Sequence, residues 1–427
     1  MSLLIKGGRI IDPASFTDFI GDILVEGEKI SRIAEHIDPP DAACQQIDAQ
    51  GKIVSPGLID LHVHLREPGR EDEETIESGS RAAVHGGFTC LACMPNTNPV
   101  NDNQAVCNFI VSCAAKSALC RIYPVGAISK KQEGKELAEM GDLKDSGAIA
   151  FSDDGKSIRD AALMRRALEY SRMLERPIIS HCEDTDLSHG GVMHEGLVST
   201  RLGLPPIPAE AESLMVARDI ALAELTGGRL HLAHVSSAKS VELVRLAKIR
   251  GIKITAEVTP HHFTLTDQAV AGFDTNTKVN PPLRTSQDIC ALIEGLKDGT
   301  IDAIASDHAP HSSAEKELEY TNAPFGLIGL ETTLALTISQ LVNKGHLTIH
   351  QALEKLTINP ANILGLPYGR LTEGCWADIT IFDSAEQIEI QEATLFSKSK
   401  NTPFLGWKLP GKIMATIMNG KVMYKNS

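Results

Sequence analysis

Between residues 55 and 365, short apolar segments alternate with helical patterns, and eight of those segments end near His64, Asn96, Ala127, Asp154, His181, His234, Thr259 and Asp307. Helical stretches at 160–174, 209–225 and 237–249 lie between some of them. Alternating strands and helices predict βα units and a parallel sheet, because a parallel neighbour needs a crossover connection. Eight units predict an α/β fold, a TIM-type (β/α)8 barrel, in which the C-terminal strand ends converge on one face. Most of these ends carry metal-binding side chains. Histidines held only by the core would not choose the same end of successive strands, so this face is the candidate site.

The chain ends use a different pattern. Residues 1–54 hold short alternating segments punctuated by Gly7-Gly8 and Gly27-Glu28, and the same hairpin pattern returns from 366 to 427. Together these ends are expected to form one small β-sandwich domain, with the barrel occupying 55–365.

The chemistry starts at His62-Val63-His64, which follows the apolar run 58–61. Alternate residues of a strand share a face, so the two imidazoles project side by side and can grip one metal ion. Arg66 is expected on the same side if the strand continues. His181, His234, Asp154 and Asp307 close other strands. These six candidate ligands are too many for one tetrahedral zinc, and suggest two metals sharing a bridging carboxylate and a bridging hydroxide. Imidazole and carboxylate ligands favour zinc, though manganese or cobalt would suit the same set.

Composition narrows the partners. A formal charge of −14 argues against nucleic acid or an anionic membrane. No apolar run reaches membrane length and the N-terminus lacks a signal pattern, so a soluble cytoplasmic protein is expected. Nine cysteines without framework spacing fit reduced thiols, and Cys90 and Cys93 lie inside an apolar strand-like run where a structural role is expected.

The motifs Asp60-Leu61-His62-Val63-His64-Leu65-Arg66-Glu67-Pro68-Gly69, Met94-Pro95-Asn96-Thr97, Phe151-Ser152-Asp153-Asp154-Gly155, Asn280-Pro281-Pro282-Leu283-Arg284, Asp307-His308-Ala309-Pro310-His311 and Phe325-Gly326 resemble the amidohydrolase superfamily. Within it, the chain is similar over nearly its whole length to the bacterial class I dihydroorotases. The resemblance implies reversible cyclisation of N-carbamoyl-L-aspartate to L-dihydroorotate, the ring-closing third step of pyrimidine synthesis. It implies two Zn2+ ions per subunit, one on His62, His64 and Asp307 and the other on His181 and His234, bridged by Asp154 and a hydroxide. Asp307 would also be the general base. Arg66, Asn96 and His311 would receive the substrate carboxylate beside His64, and Asn280 with the backbone of Phe325 and Gly326 would read the ring amides. A homodimer is expected, with association to aspartate transcarbamoylase as a further partner.

Hydantoinases and allantoinases share the barrel and cyclic amide chemistry, but usually bridge their metals with a carboxylated lysine. Here the fourth strand ends in Asp153-Asp154, and Lys156 lies beyond it. A non-catalytic scaffold would have lost ligands, and all six are present. His261, His262 and His308 are expected to be structural or to support ligands, and the charged segment 312–322 is expected to be a surface loop that covers bound substrate.

Overall fold

A computed structural model describes residues 2–426. The strands Leu58–Val63, Phe88–Cys93 and Arg121–Pro124 form a three-stranded parallel sheet. Phe151–Ser152, Ile178–Ser180, Leu230–Leu232, Ile254–Val258 and Ala303–Ile304 form a five-stranded one, again parallel and in chain order. A single parallel bridge joins the sheets at each seam, Gly126 with Phe151 and Val63 with His308. At the second seam the His64 N–H donates to the His308 carbonyl at 2.8 Å. All eight strands match the expected segments.

The helices form where the sequence places their apolar faces. Ala161–Met173 is capped by Asp160 and buries Leu163, Met164, Ala167, Leu168 and Ser171, one stripe at helical spacing. Ala238–Ile249 is capped by Ser237, while Glu210–Thr226 ends in the left-handed Gly227. These spans fall within a residue of the expected ones.

Both chain ends enter one eight-stranded sheet. Its order runs Lys421–Lys425, Lys408–Met418, Ile379–Glu389, Ile53–Pro56, Ser2–Asp12, Thr17–Glu26, Lys29–Ala34, with Gln45–Asp48 pairing onto Ser2–Asp12. Strand alternation divides its two faces. Ile379 and Ile381 join Leu3, Ile5, Ile23 and Ile417 in the sheet's own core, whereas Phe382 packs into the main core with Val84 and Leu334. The Thr380 hydroxyl donates to the Gly87 carbonyl and the Thr416 hydroxyl to the Val84 carbonyl, each at 2.6 Å, fastening the sheet to the helix Ile76–His85.

All nine cysteines are free. Cys90 and Cys93, three apart on one strand, face opposite ways: Cys90 packs with Ile59 and Ala361, Cys93 in the main core. Burial pushes the Cys93 thiol up to about 12, so the pair is structural.

Segment 312–322 departs from a plain surface loop. Ser313–Lys316 forms a helical turn capped by Ser312, and Lys316 and Tyr320 are buried. The Lys316 ammonium donates to the carbonyls of Thr275 and Pro324 at 3.0 and 2.8 Å. A charged sequence thus buries its stems while its charges find backbone acceptors, which charge counting cannot anticipate.

Candidate metal and active site

Asp154 lies at the centre of four imidazoles. Its Oδ1 is 3.2 Å from His62 Nε2, 3.7 Å from His234 Nε2 and 3.8 Å from His181 Nδ1, and its Oδ2 is 3.5 Å from His64 Nε2. Asp307 Oδ1 completes the set, 3.1 Å from His64 Nε2 and 3.5 Å from His62 Nε2. His181 Nδ1 and His234 Nε2 are 2.9 Å apart.

The hydrogen-bond network assigns which nitrogens are bare. His62 Nδ1 lies 2.6 Å from Glu257 Oε1, His64 Nδ1 lies 2.8 Å from Asn96 Oδ1, and His181 Nε2 lies 3.1 Å from Glu183 Oε2. Each of these oxygens accepts, so each nitrogen facing it carries the proton and the other nitrogen turns a lone pair inward. The inward lone pairs then meet the lone pairs of Asp154 and Asp307. His62 Nε2 and Asp154 Oδ1 are buried with no hydrogen-bond partner. Orphaned acceptors of this kind cost roughly 1–3 kcal/mol each. A cation between them removes the conflict, and outer nitrogens tied to carboxylate or amide oxygens are the usual support for metal-bound histidines. The donor set therefore fits divalent ions. His62, His64 and Asp307 form one group with ligand atoms within 4.8 Å of one another, and His62, Asp154 and His234 form another.

His234 and Asp307 have φ of 32° and 48°, and Arg66 has 59°. Such left-handed positions cost roughly 1–3 kcal/mol each and gather where function demands a particular side-chain direction. The strand ends at Val63, so Arg66 reaches the site through this turn and not through the strand alternation expected of it.

A cavity of about 190 Å3 opens on this centre, lined by His64, Asp154, His181, His234 and Asp307 on one side. Arg66, Asn96, Asn280, His311, Phe325 and Gly326 line the other. His62 lies fully buried behind the wall. All the expected site residues are thus brought together. Of the histidines expected to be structural, His308 accepts from the Gly329 N–H and faces Glu74, and His262 sits between Thr259 Oγ1 and the Pro281 carbonyl.

Three supporting carboxylates escaped the sequence reading. Glu257 also contacts His231 Nε2 at 3.0 Å and accepts the His234 backbone N–H at 3.2 Å; against the cost of burial, His62 and His231 hold it at about 2. Glu183 accepts from Asn280 Nδ2 at 3.0 Å. Glu73 lies between Arg66 and His311. Glu257 alone had a signal, a charge inside the apolar run Ile254–Val258 and two residues before Thr259, hence on the same face.

Known proteins agree with this geometry. Residues 51–240 match the family model described as dihydro-orotase-like, and residues 296–424 match that of the amidohydrolase family. The chain is 56% identical to the dihydroorotase of Pelotomaculum thermopropionicum, covering 100% of this chain and 99% of that one. It is 53% identical to the dihydroorotase of Syntrophus aciditrophicus, covering 100% of both. The chain belongs to the dihydroorotase family. A solved L-hydantoinase (dihydropyrimidinase) from Arthrobacter aurescens superposes with a TM-score of 0.88 over 98% of this chain and 95% of that one, at 25% identity. Membership of the dihydroorotases, at twice that identity, sets the chain apart from these cyclic-amide relatives and makes it a cyclic amidohydrolase. Asp154 lies just past the fourth strand, Phe151–Ser152, and Lys156 is exposed, its N–H closing a turn onto the Asp153 carbonyl at 2.8 Å. Among the described residues no helix is long and apolar enough to cross a membrane.

Proposed function

We propose that the chain interconverts N-carbamoyl-L-aspartate and L-dihydroorotate, using two zinc ions held by His62, His64, Asp154, His181, His234 and Asp307. The observation carrying this reading is the set of inward lone pairs on His62, His64 and His181, each fixed by an outer acceptor, around one carboxylate. Divalent ions bound there lower the pKa of water and polarise the amide carbonyl. Asp307 accepts the proton of the attacking water at its carboxylate and delivers it to the ring nitrogen that leaves; in cyclisation the same proton runs backwards.

The other wall orients the substrate. Asn96 spends its Oδ1 on His64, leaving its amide N–H groups as donors for the substrate carboxylate. Arg66 donates through Nε to the Pro310 carbonyl at 3.0 Å, which leaves the outer edge of its guanidinium for the same carboxylate. His311 stands beside it, 3.3 Å from Arg66 Nη2. Asn280 uses its amide on Glu183, so its Oδ1 is the acceptor for a ring N–H. The Gly326 N–H is taken by the Lys278 carbonyl at 2.8 Å, the Gly326 carbonyl accepts from Asn401 Nδ2 at 3.2 Å and the Phe325 carbonyl lies 2.9 Å from His311 Nε2, so a carbonyl here would meet a ring N–H through its second lone pair. A Cβ at Gly326, where φ is 132°, would come within 2.8 Å of the Ala309 Cβ and 3.2 Å of His311 Cδ2, which keeps this wall bare.

The bridges at both seams support a closed (β/α)8 barrel over 55–365, and the one eight-stranded sheet that takes in both chain ends supports a single β-domain, proposed as a β-sandwich, from 1–54 and 366–427. The pathway reading places the protein in the cytoplasm as a homodimer, with aspartate transcarbamoylase as its partner; sedimentation of the protein alone and mixed tests both. Following dihydroorotate hydrolysis by its ultraviolet absorbance, with metal content measured on the same sample, tests the reaction. No turnover with two zinc ions bound would reject it.

Arg66→Lys should raise KM about ten- to hundred-fold, the size of a lost charged hydrogen bond, because an ammonium cannot reproduce the guanidinium edge. Metal content should be unchanged. An unaltered KM would remove Arg66 from the site, and lost metal would show that it supports the ligands instead.

A further inference from the structure

Glu73 is fully buried, although nothing in the proposed chemistry uses it. It lies in the segment between the strand Leu58–Val63 and the helix Ile76–His85, on the protein side of the wall that receives the substrate carboxylate. Its Oε2 is 3.1 Å from Arg66 Nε, and its Oε1 is 3.2 Å from His311 Nδ1. Arg70 also contacts Glu73 and reaches on to Glu315 Oε1 at 2.8 Å, in the segment that borders the cavity. A buried carboxylate here is electrostatically costly in itself, because it repels the anion the site must hold.

What it offers in return is orientation. Arg66 Nη2 and His311 Nε2 approach to 3.3 Å, a contact of two donors whenever the imidazole is charged. The Phe325 carbonyl, 2.9 Å from His311 Nε2, and the Pro310 carbonyl, 3.0 Å from Arg66 Nε, fix one nitrogen of each, and Glu73 lies behind both. Glu73 Oε1 meets Nδ1 of the ring, while Oε2, buried without a hydrogen-bond partner, lies 3.1 Å from Nε of the guanidinium, whose N–H goes to the Pro310 carbonyl, so its hold on Arg66 is one of charge. Burial, followed by Glu315, pushes the Glu73 carboxyl up to about 8. Whichever of Glu73 and His311 carries the proton between them, one hydrogen bond joins Oε1 to Nδ1.

We propose that Glu73 is a positioning residue for substrate recognition: one buried carboxylate that holds Arg66 and His311 as a single anion-binding unit. This rests on the reading that Arg66 and His311 receive the substrate carboxylate. Glu73 touches no substrate atom and no residue assigned to the metals, so its loss acts on binding and not on the chemical step.

The test is a kinetic cycle on the metal-loaded enzyme, with wild type, Glu73→Gln, Arg66→Lys and the double variant. Glu73→Gln keeps the shape and one hydrogen bond but cannot ionise, so above about pH 8, where the Glu73 carboxylate is charged, KM should rise about tenfold over wild type while kcat stays within about threefold and metal content is unchanged. The double variant should be little worse than Arg66→Lys alone, because the unit is already broken. Glu73→Asp keeps the charge and should fall between wild type and Glu73→Gln; it also serves if the glutamine variant is recovered poorly. A wild-type KM in Glu73→Gln beside a raised KM in Arg66→Lys overturns this inference alone. So do additive effects in the double variant, a loss confined to kcat, or an aspartate variant that binds worse than the glutamine one. A wild-type KM in Arg66→Lys overturns this inference together with the reading beneath it.

Discussion

Asp307→Asn should abolish turnover in both directions, by at least about a hundredfold, because it removes the carboxylate proposed to move the proton, and such proton transfer is worth roughly 10²–10⁴-fold. The substitution isolates that function. Asparagine is isosteric, keeps an oxygen toward His64 Nε2, now 3.1 Å from Asp307 Oδ1, and tolerates the left-handed φ of 48° better than most residues. The backbone should therefore hold and metal should still bind, so lost rate reports the missing base. Metal content and circular dichroism on the same sample check both conditions. A variant that kept more than about a tenth of the wild-type rate with metal bound would place the general base elsewhere.

That a candidate base could be named from sequence at all follows from where its strand ends. Asp307, His181, His234 and Asp154 each follow a short apolar run, and parallel strands in this arrangement bring those ends to one face. The supporting carboxylates were illegible for the converse reason. Glu73 and Glu183 meet distant partners as well as near ones: Glu183 faces His181 two residues away, but Asn280 is 97 from it, and His311 is 238 from Glu73. No local pattern marks such a residue. Arg66 was found by motif but misplaced in geometry, since a φ of 59° redirects its side chain after the strand has ended. The buried Lys316 was misread because its burial depends on two distant carbonyls.

The adjacent aspartates Asp153 and Asp154 should respond in opposite ways to removal. Asp154→Ala should empty both metal positions, since its two oxygens face four histidines and its charge offsets the mutual repulsion of two cations. Asp153, just past the strand end at Ser152, turns its carboxylate away from that centre. Its Oδ1 accepts the N–H groups of Ile128 and Ser129 at 2.8 and 3.0 Å, and the Ser129 hydroxyl donates to its other oxygen. Asp153→Ala should therefore keep its metal and much of its rate, and lose thermal stability instead, by about 1–3 kcal/mol for donors left unpaired in the interior. Because Asp154 is already a carboxylate, apoprotein given zinc alone in carbon-dioxide-free buffer should recover full activity. A bridge made from a lysine would instead need carbon dioxide to form, and Lys156, exposed beyond the strand end, is not placed to supply one. Added bicarbonate should change neither the rate nor the extent of recovery. Bicarbonate-dependent recovery, or a heavier loss of metal at Asp153 than at Asp154, would move the bridge to another residue and leave the arrangement of strands intact.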